Sequence, residues 1–212
     1  MLIMIRASMK SLYRRLSPVQ VIVVVLVALI SLRLVHSVAV LSGQADENVS
    51  SSSLAGSAEE KNTTKQAILK WMKQNSKMPE HVLTTIYNAA ERTGNRDLIL
   101  AICLVESNFN PQAESHKGAI GLMGVMPGVW LEELQGRGII RQRDDLFKIS
   151  ENIAAGAHVL ATYVSETTDL RLALIRYVGG ATSYASRVFK AQKKIELAQS
   201  SAQLASVAGA ED

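Results

Sequence analysis

The residue with the clearest potential for chemistry is Glu106, which follows the apolar run Ile102-Cys103-Leu104-Val105 and precedes Ser107. A carboxyl group that lies against apolar walls loses solvation, and its pKa rises. A carboxylic acid that stays protonated near neutral pH can act as a general acid. A single glutamate at a helix end is more often a solvated surface residue, so the residues around Glu106 must decide between the two interpretations.

Few other side chains could share such a reaction. Most glycoside hydrolases use two carboxylates, one as acid and one as nucleophile or base. The sequence offers no convincing second one, because Glu114 lies in a loop, and Asp144 and Asp145 precede a helix, where capping is the expected role. The single cysteine, Cys103, excludes an intrachain disulfide.

A nucleophilic cysteine is the main alternative chemistry. Cys103 could act with His116 or His158 as a Cys–His hydrolase, but a buried structural thiol is the favoured interpretation. The histidines lack the spacing of a metal site. We therefore expect no metal and no cofactor.

The elements that position Glu106 are predicted to be helices, with no convincing β-hairpin and no internal repeat. Apolar residues at helical spacing, turn residues and capping residues define the boundaries. The predicted helices begin near Thr64, at Pro79, at Asn95 or Asp97, near Val129, at Ser150, at Leu170 and near Ser183, and the last ends near Leu197. The glycine- and proline-rich stretch 108–128 is a long loop, a feature that is often functional. The sequence therefore predicts an all-α domain over 64–197.

The N-terminus has the pattern of an export signal. Residues 1–18 are basic and are predicted to stay in the cytoplasm, and residues 19–41 form a transmembrane anchor or a cleaved signal segment. A spanning helix needs roughly 17–25 mostly apolar residues. Segment 42–63 is serine-rich and predicted to be a flexible linker, and 198–212 a flexible tail. Net charge is only +4 and the basic residues are scattered, so we expect no nucleic-acid partner.

Four blocks around Glu106 decide its interpretation. They are Glu106-Ser107, then Pro111-Gln112-Ala113-Glu114-Ser115 with Gly118-Ala119-Ile120-Gly121-Leu122-Met123-Gly124-Val125-Met126-Pro127, then Asn152-Ile153-Ala154-Ala155-Gly156, and finally Leu172-Ala173-Leu174-Ile175-Arg176-Tyr177-Val178-Gly179-Gly180. In this order and spacing they resemble the lytic transglycosylase domain of the soluble-transglycosylase family, over roughly residues 80–192. Two positions depart from the family pattern: Gly124 replaces its glutamine and Val178 replaces its asparagine.

The resemblance implies a lysozyme-like helical fold and a reaction on peptidoglycan. Glu106 would be the single catalytic carboxylate, cutting between N-acetylmuramic acid and N-acetylglucosamine with closure of a 1,6-anhydro ring. Tyr177 resembles the family tyrosine whose hydroxyl holds the catalytic glutamate. The other substrate-binding candidates are Ser107, Ser115, Gly121, Met123 and Met126. The two serines could hydrogen-bond Glu106 or order the loop, with simple capping and turn roles as the alternative. Gly121 could let the backbone approach the sugar or could simply satisfy a positive φ, and for the two methionines the alternative is core packing.

Two alternative functions stay open at this point. One is a muramidase of the lysozyme type, which would need a positioned water and usually a second acid. The other is a weakly active or inactive peptidoglycan-binding module of a secretion system, which the changes at Gly124 and Val178 favour. In each case the expected partners are the glycan strands, the inner membrane through residues 19–41, and cell-wall or secretion machinery, with the 64–197 domain in the periplasm.

Overall fold

Helices make up the part of the chain that the computed structural model describes, residues 47–208. Apart from isolated β-bridges, this part contains no strand, so the predicted all-α class is confirmed. The helices are α1 (Glu47–Gln74), α2 (Glu80–Glu91), α3 (Arg96–Ser107), α4 (Pro127–Gly136), α5 (Ile149–Thr167), α6 (Leu170–Tyr177) and α7 (Thr182–Ala208), with a 3₁₀ helix at Arg143–Phe147. The predicted cytoplasmic segment 1–18 and the predicted membrane segment 19–41 lie outside the described residues.

Helix α3 lies at the centre of the packed unit that begins at Ser57. Five consecutive residues, 99–103, are at most 2 % exposed, so neighbours surround this helix on every side. It packs most extensively on α7 and also on α2, while α5 contacts α2 and α6. A helix that is buried all round needs apolar residues all round. The run Ile99-Leu100-Ala101-Ile102-Cys103 meets this requirement, and it carries Glu106 to the edge of the core.

The two terminal helices are longer than predicted. Helix α1 begins at Glu47, inside the stretch 42–63 that was predicted to be a linker, and α7 continues to Ala208 through the predicted tail. In α7, Gln199 donates a hydrogen bond to Asp97 (2.8 Å) and accepts one from Arg96 (2.9 Å). Gln203 of the same helix donates to Glu60 of α1. These polar contacts hold α7 beyond Ile195, its last large buried apolar residue, where an apolar periodicity ends the helix too early.

Apart from the start of α1, the predicted helix starts are correct within one or two residues. Pro79 is the residue before α2 rather than its first, and Lys148, not Ser150, precedes α5. Helix α6 has the predicted bounds, and the Asp169 carboxylate caps it by accepting from two backbone N–H groups. Asp145 accepts from the backbone of Arg141 and Gln142, which confirms its capping role.

Within residues 47–208, no helix combines the length and the apolar character needed to cross a bilayer.

Candidate active site

Glu106 lies in the last turn of α3, where the central helix leaves the core. The side chain is half-buried, whereas Cys103, one turn earlier, is fully buried. Asn108 and Phe109 then both adopt left-handed backbone conformations, with φ of 49° and 63°. Phe109 is fully buried and packs edge-on against Trp71, with ring centroids 6.1 Å apart. This buried ring fixes the sharp exit of the chain directly after the glutamate.

The surroundings of Glu106 favour its protonated form. Burial raises the pKa of the Glu106 carboxyl, and this effect outweighs the Tyr184 hydroxyl and the Arg187 guanidinium, which both lower it. The same cluster raises the pKa of Tyr177, Tyr184 and Cys103, in each case mainly through burial and then through the nearby Glu106 charge. The predicted direction of the Glu106 shift therefore agrees with the structure, and the thiol of Cys103 is held protonated.

The loop after α3 is ordered by its own backbone. Ile120 and Val125 exchange N–H···O=C bonds of 2.8 and 3.0 Å, and the Gly121 N–H donates to the Ala113 carbonyl (2.8 Å). Isolated bridges pair Ile120 with both Glu114 and Val125. The long glycine-rich stretch is therefore a compact hydrogen-bonded unit, and it brings Gly124 beside Glu106.

Asn152 of α5 clamps this loop from below. It is 1 % exposed, accepts from the Met123 N–H (2.9 Å) and donates to the carbonyls of Ile120 (2.9 Å) and Leu146 (2.6 Å). Gly121, at φ 78°, lies so close that a Cβ there would collide with the Asn152 amide. The clamp explains why an asparagine in α5 and a glycine in the loop occur together.

The contacts of Tyr177 and Met123 differ from the predicted ones, in which Tyr177 binds Glu106 and Met123 binds the substrate. The Tyr177 hydroxyl donates to the Met123 carbonyl (2.7 Å) and not to Glu106. Met123 is fully buried, and a Cβ on Gly156 would lie 2.6 Å from its sulfur. Tyr177 therefore holds the loop that faces Glu106, and Met123 is a core residue beneath the loop instead of a wall that faces the substrate.

Of the remaining predicted site residues, some order the loop and one stays accessible to solvent. The Ser107 hydroxyl lies 2.9 Å from the carbonyls of both Cys103 and Leu122, and the Ser115 hydroxyl accepts from the Ala119 N–H. Both serines therefore order the loop and do not bind Glu106. Gly121 is buried against Asn152, so its expected approach to the sugar is not available in this arrangement. Met126 is half-buried before α4 and is the predicted apolar residue that stays accessible.

Tyr184 belongs to the site, although it is not among the candidates that the sequence predicted. It is 1 % exposed, and its hydroxyl lowers the pKa of Glu106. Among the described residues, however, no acceptor completes a hydrogen bond with this hydroxyl in the arrangement seen. A buried hydroxyl without a hydrogen bond is rare in folded proteins. Tyr177 and Tyr184 lie seven residues apart in the chain. Tyr184 reaches the surroundings of Glu106 because α7 packs on α3.

The other acids of the loop region are engaged elsewhere. Glu114 pairs with Arg143 at 2.6 Å, and the Asp145 carboxylate binds Lys148 at 2.7 Å. That lysine, together with backbone N–H groups, lowers the pKa of Asp145 to about 2. These contacts engage both carboxylates with partners other than Glu106.

The part of the chain that contains this site is similar to known proteins. The family model described as the Transglycosylase SLT domain matches residues 84–199, more than half of the chain. A membrane-bound lytic murein transglycosylase C from Edwardsiella ictaluri is 35 % identical over 122 residues, which cover 52 % of this chain and 34 % of that protein. The protein of the same name from Salmonella arizonae is 38 % identical over 109 residues, covering 47 % of this chain and 30 % of that protein.

The chain thus spans about a third of the length of these relatives. No solved structure matches it. The family match includes Glu106, the loop that follows it, Asn152 and both tyrosines, and on this ground the chain belongs to the family of the Transglycosylase SLT domain.

Proposed function

We propose that the chain is a peptidoglycan lytic transglycosylase with a lysozyme-like catalytic domain. The observation that carries the proposal is a single half-buried carboxyl group, Glu106, whose pKa burial raises while nearby acids are paired elsewhere. One such group suffices when the substrate supplies its own nucleophile. A hydrolase with two carboxylates would need a second acid beside the first.

The proposed reaction uses Glu106 twice. First, the protonated carboxyl group gives its proton to the oxygen between N-acetylmuramic acid and N-acetylglucosamine, and the bond from C1 to that oxygen breaks. Positive charge develops at C1. The ionised Glu106 then takes the proton of the muramic C6 hydroxyl, whose oxygen forms the new bond to C1. The carboxyl group is protonated again at the end, and no water is consumed.

Product analysis tests this function directly. Full-length protein incubated with purified peptidoglycan should release muropeptides that end in 1,6-anhydro-N-acetylmuramic acid. Mass spectrometry identifies these products, because they are about 18 Da lighter than the products of hydrolysis: ring closure replaces the addition of water. New reducing ends would instead identify a muramidase. Binding to peptidoglycan without turnover would identify a binding module.

The acid role also predicts a pH effect at Arg187. This exposed guanidinium lies 5.7 Å from the centroid of the Tyr184 ring and lowers the pKa of Glu106. Arg187→Gln removes a positive charge that favours the ionised carboxylate, so the pKa of Glu106 should rise. The protonated acid then persists to higher pH, and the alkaline limb of the kcat/KM profile should move upward.

Arg171→Gln is the matched control for this change. Arg171 is likewise an exposed arginine over an aromatic ring, that of Phe189 at 5.1 Å, and it is not among the groups that shift Glu106. The alkaline limb of the kcat/KM profile of Arg171→Gln should therefore coincide with that of the parent. An unchanged or downward-shifted limb in Arg187→Gln would contradict the assignment of Glu106 as the acid.

The location of the domain is a further part of the proposal. The relatives are named membrane-bound, and residues 19–41 have the composition of an anchor. We propose that this segment tethers the domain to the inner membrane, so that it acts on peptidoglycan in the periplasm.

A further inference from the structure

The backbone of residue 124 forms part of the space that Glu106 occupies. A Cβ built on Gly124 would lie 2.8 Å from Oε2, 3.2 Å from Cδ and 3.5 Å from Cγ of Glu106. The first distance is shorter than real Cβ contacts allow. The carboxyl group therefore occupies the volume that any side chain at position 124 would need.

Gly124 also has a backbone conformation that other residues avoid. Its φ is 62°, in the left-handed region, and its N–H donates to the Gly121 carbonyl at 3.2 Å. The loop that fixes this conformation is held by Asn152 at the Met123 N–H and by Tyr177 at the Met123 carbonyl. Gly124 thus follows a residue whose backbone is bound on both sides, and it cannot easily retreat from Glu106.

We infer that Gly124 is a positioning residue for Glu106: its missing side chain lets the catalytic carboxyl group pack against the loop backbone. The inference builds on the proposed function. The family pattern has a glutamine at this position, so its replacement by glycine looks like a loss of a polar contact. In this chain the carboxyl group itself fills that place, and restoring a side chain should impair the site.

The direction of the effect follows from what else faces Glu106. Tyr184 and Arg187 of α7, Tyr177 of α6 and Cys103 of α3 are the titratable or charged groups around it. A side chain at 124 would drive the carboxyl group either toward solvent or toward the Tyr184 hydroxyl. Both movements favour the ionised form, because one restores hydration and the other completes a hydrogen bond.

The test compares Gly124→Ala and Gly124→Gln with Gly138→Ala in the full-length protein. Gly138 has a similar φ of 71°, but a Cβ there meets nothing within 4 Å, so it reproduces the backbone strain without the collision. A misplaced catalytic group can cost about 10²-fold in rate. Both Gly124 variants should lose at least about tenfold in kcat, with an alkaline limb displaced to lower pH, whereas Gly138→Ala should match the parent in both measurements.

A second readout does not depend on activity. With [δ-¹³C]glutamate labelling, the Glu106 carboxyl signal is assigned by its loss in Glu106→Gln, and its titration should move to lower pH in both Gly124 variants. If the parent forms no anhydro products, the proposed function fails, but this titration still tests the positioning. If the parent is active and Gly124→Ala keeps its kcat, pH profile and Glu106 titration, the positioning role is wrong.

Discussion

Glu106→Gln should reduce the release of anhydro-muropeptides by about 10³-fold or more, since it removes the general acid and the base that follows it. Glutamine has nearly the shape of glutamate but cannot transfer the proton to the leaving oxygen. Initial rates of release from purified peptidoglycan, measured by chromatography and mass spectrometry, give the comparison. Glu132→Gln provides the matched control, because Glu132 is an exposed glutamate on α4.

Stability should change in the opposite direction to activity. Burial raises the pKa of Glu106 in the folded protein, so the ionised carboxylate destabilises the fold above the pKa of the unfolded chain. The amide removes this charge. The free energy of unfolding at neutral pH should therefore be equal to or greater than that of the parent. A Glu106→Gln protein that digests peptidoglycan at the parental rate would refute the mechanism.

Asn152→Asp should produce the largest loss of stability among the changes considered, about 3–5 kcal/mol, the usual cost of leaving a buried charge uncompensated. The carboxylate can still accept from the Met123 N–H. Its second oxygen, however, would replace the amide nitrogen that donates to the carbonyls of Ile120 (2.9 Å) and Leu146 (2.6 Å). A negatively charged oxygen would then face two carbonyl oxygens, and they repel each other. For a chain of this size, such a loss lowers the melting temperature by roughly 6–20 °C.

Asn88→Asp is the control with the same chemical change. The Asn88 side-chain oxygen accepts from Lys65 at 3.1 Å, a role that a carboxylate fulfils equally well. Its melting temperature should stay close to that of the parent. The Asn152→Asp protein should recover part of its stability as the pH falls, because protonation removes the buried charge and restores one donor. Equal melting temperatures for the parent and Asn152→Asp would show that the clamp does not stabilise the loop.

Local patterns in the sequence were sufficient to predict the helices. The bounds of α6 follow from Asp169 as a cap and from the glycines after Tyr177, and these are interactions between near neighbours in the chain. The start of α1 and the end of α7 were missed. At the end of α7, Gln199 and Gln203 are held by residues of other helices. Contacts of that kind leave no periodicity in the sequence.

The two tyrosines show the same limit within the site. Tyr177 was predicted to hold Glu106, but its hydroxyl binds the Met123 carbonyl, while Tyr184 faces the carboxyl group. The sequence motif identifies Tyr177 as a member of the site and does not include Tyr184. It does not specify which hydroxyl reaches which atom, because that depends on how α6 and α7 pack against α3.

The sequence alone determined the family resemblance and the all-helical class, and it predicted Glu106 as the acid, because residue type, helical period and motif spacing are properties of neighbouring positions. Only the tertiary structure assigned Asn152 to the loop, Met123 to the core and Gly124 to the place beside Glu106. These assignments depend on distances between segments that are far apart in the chain. Such distances are set by the packing of whole helices, and no short stretch of residues specifies them.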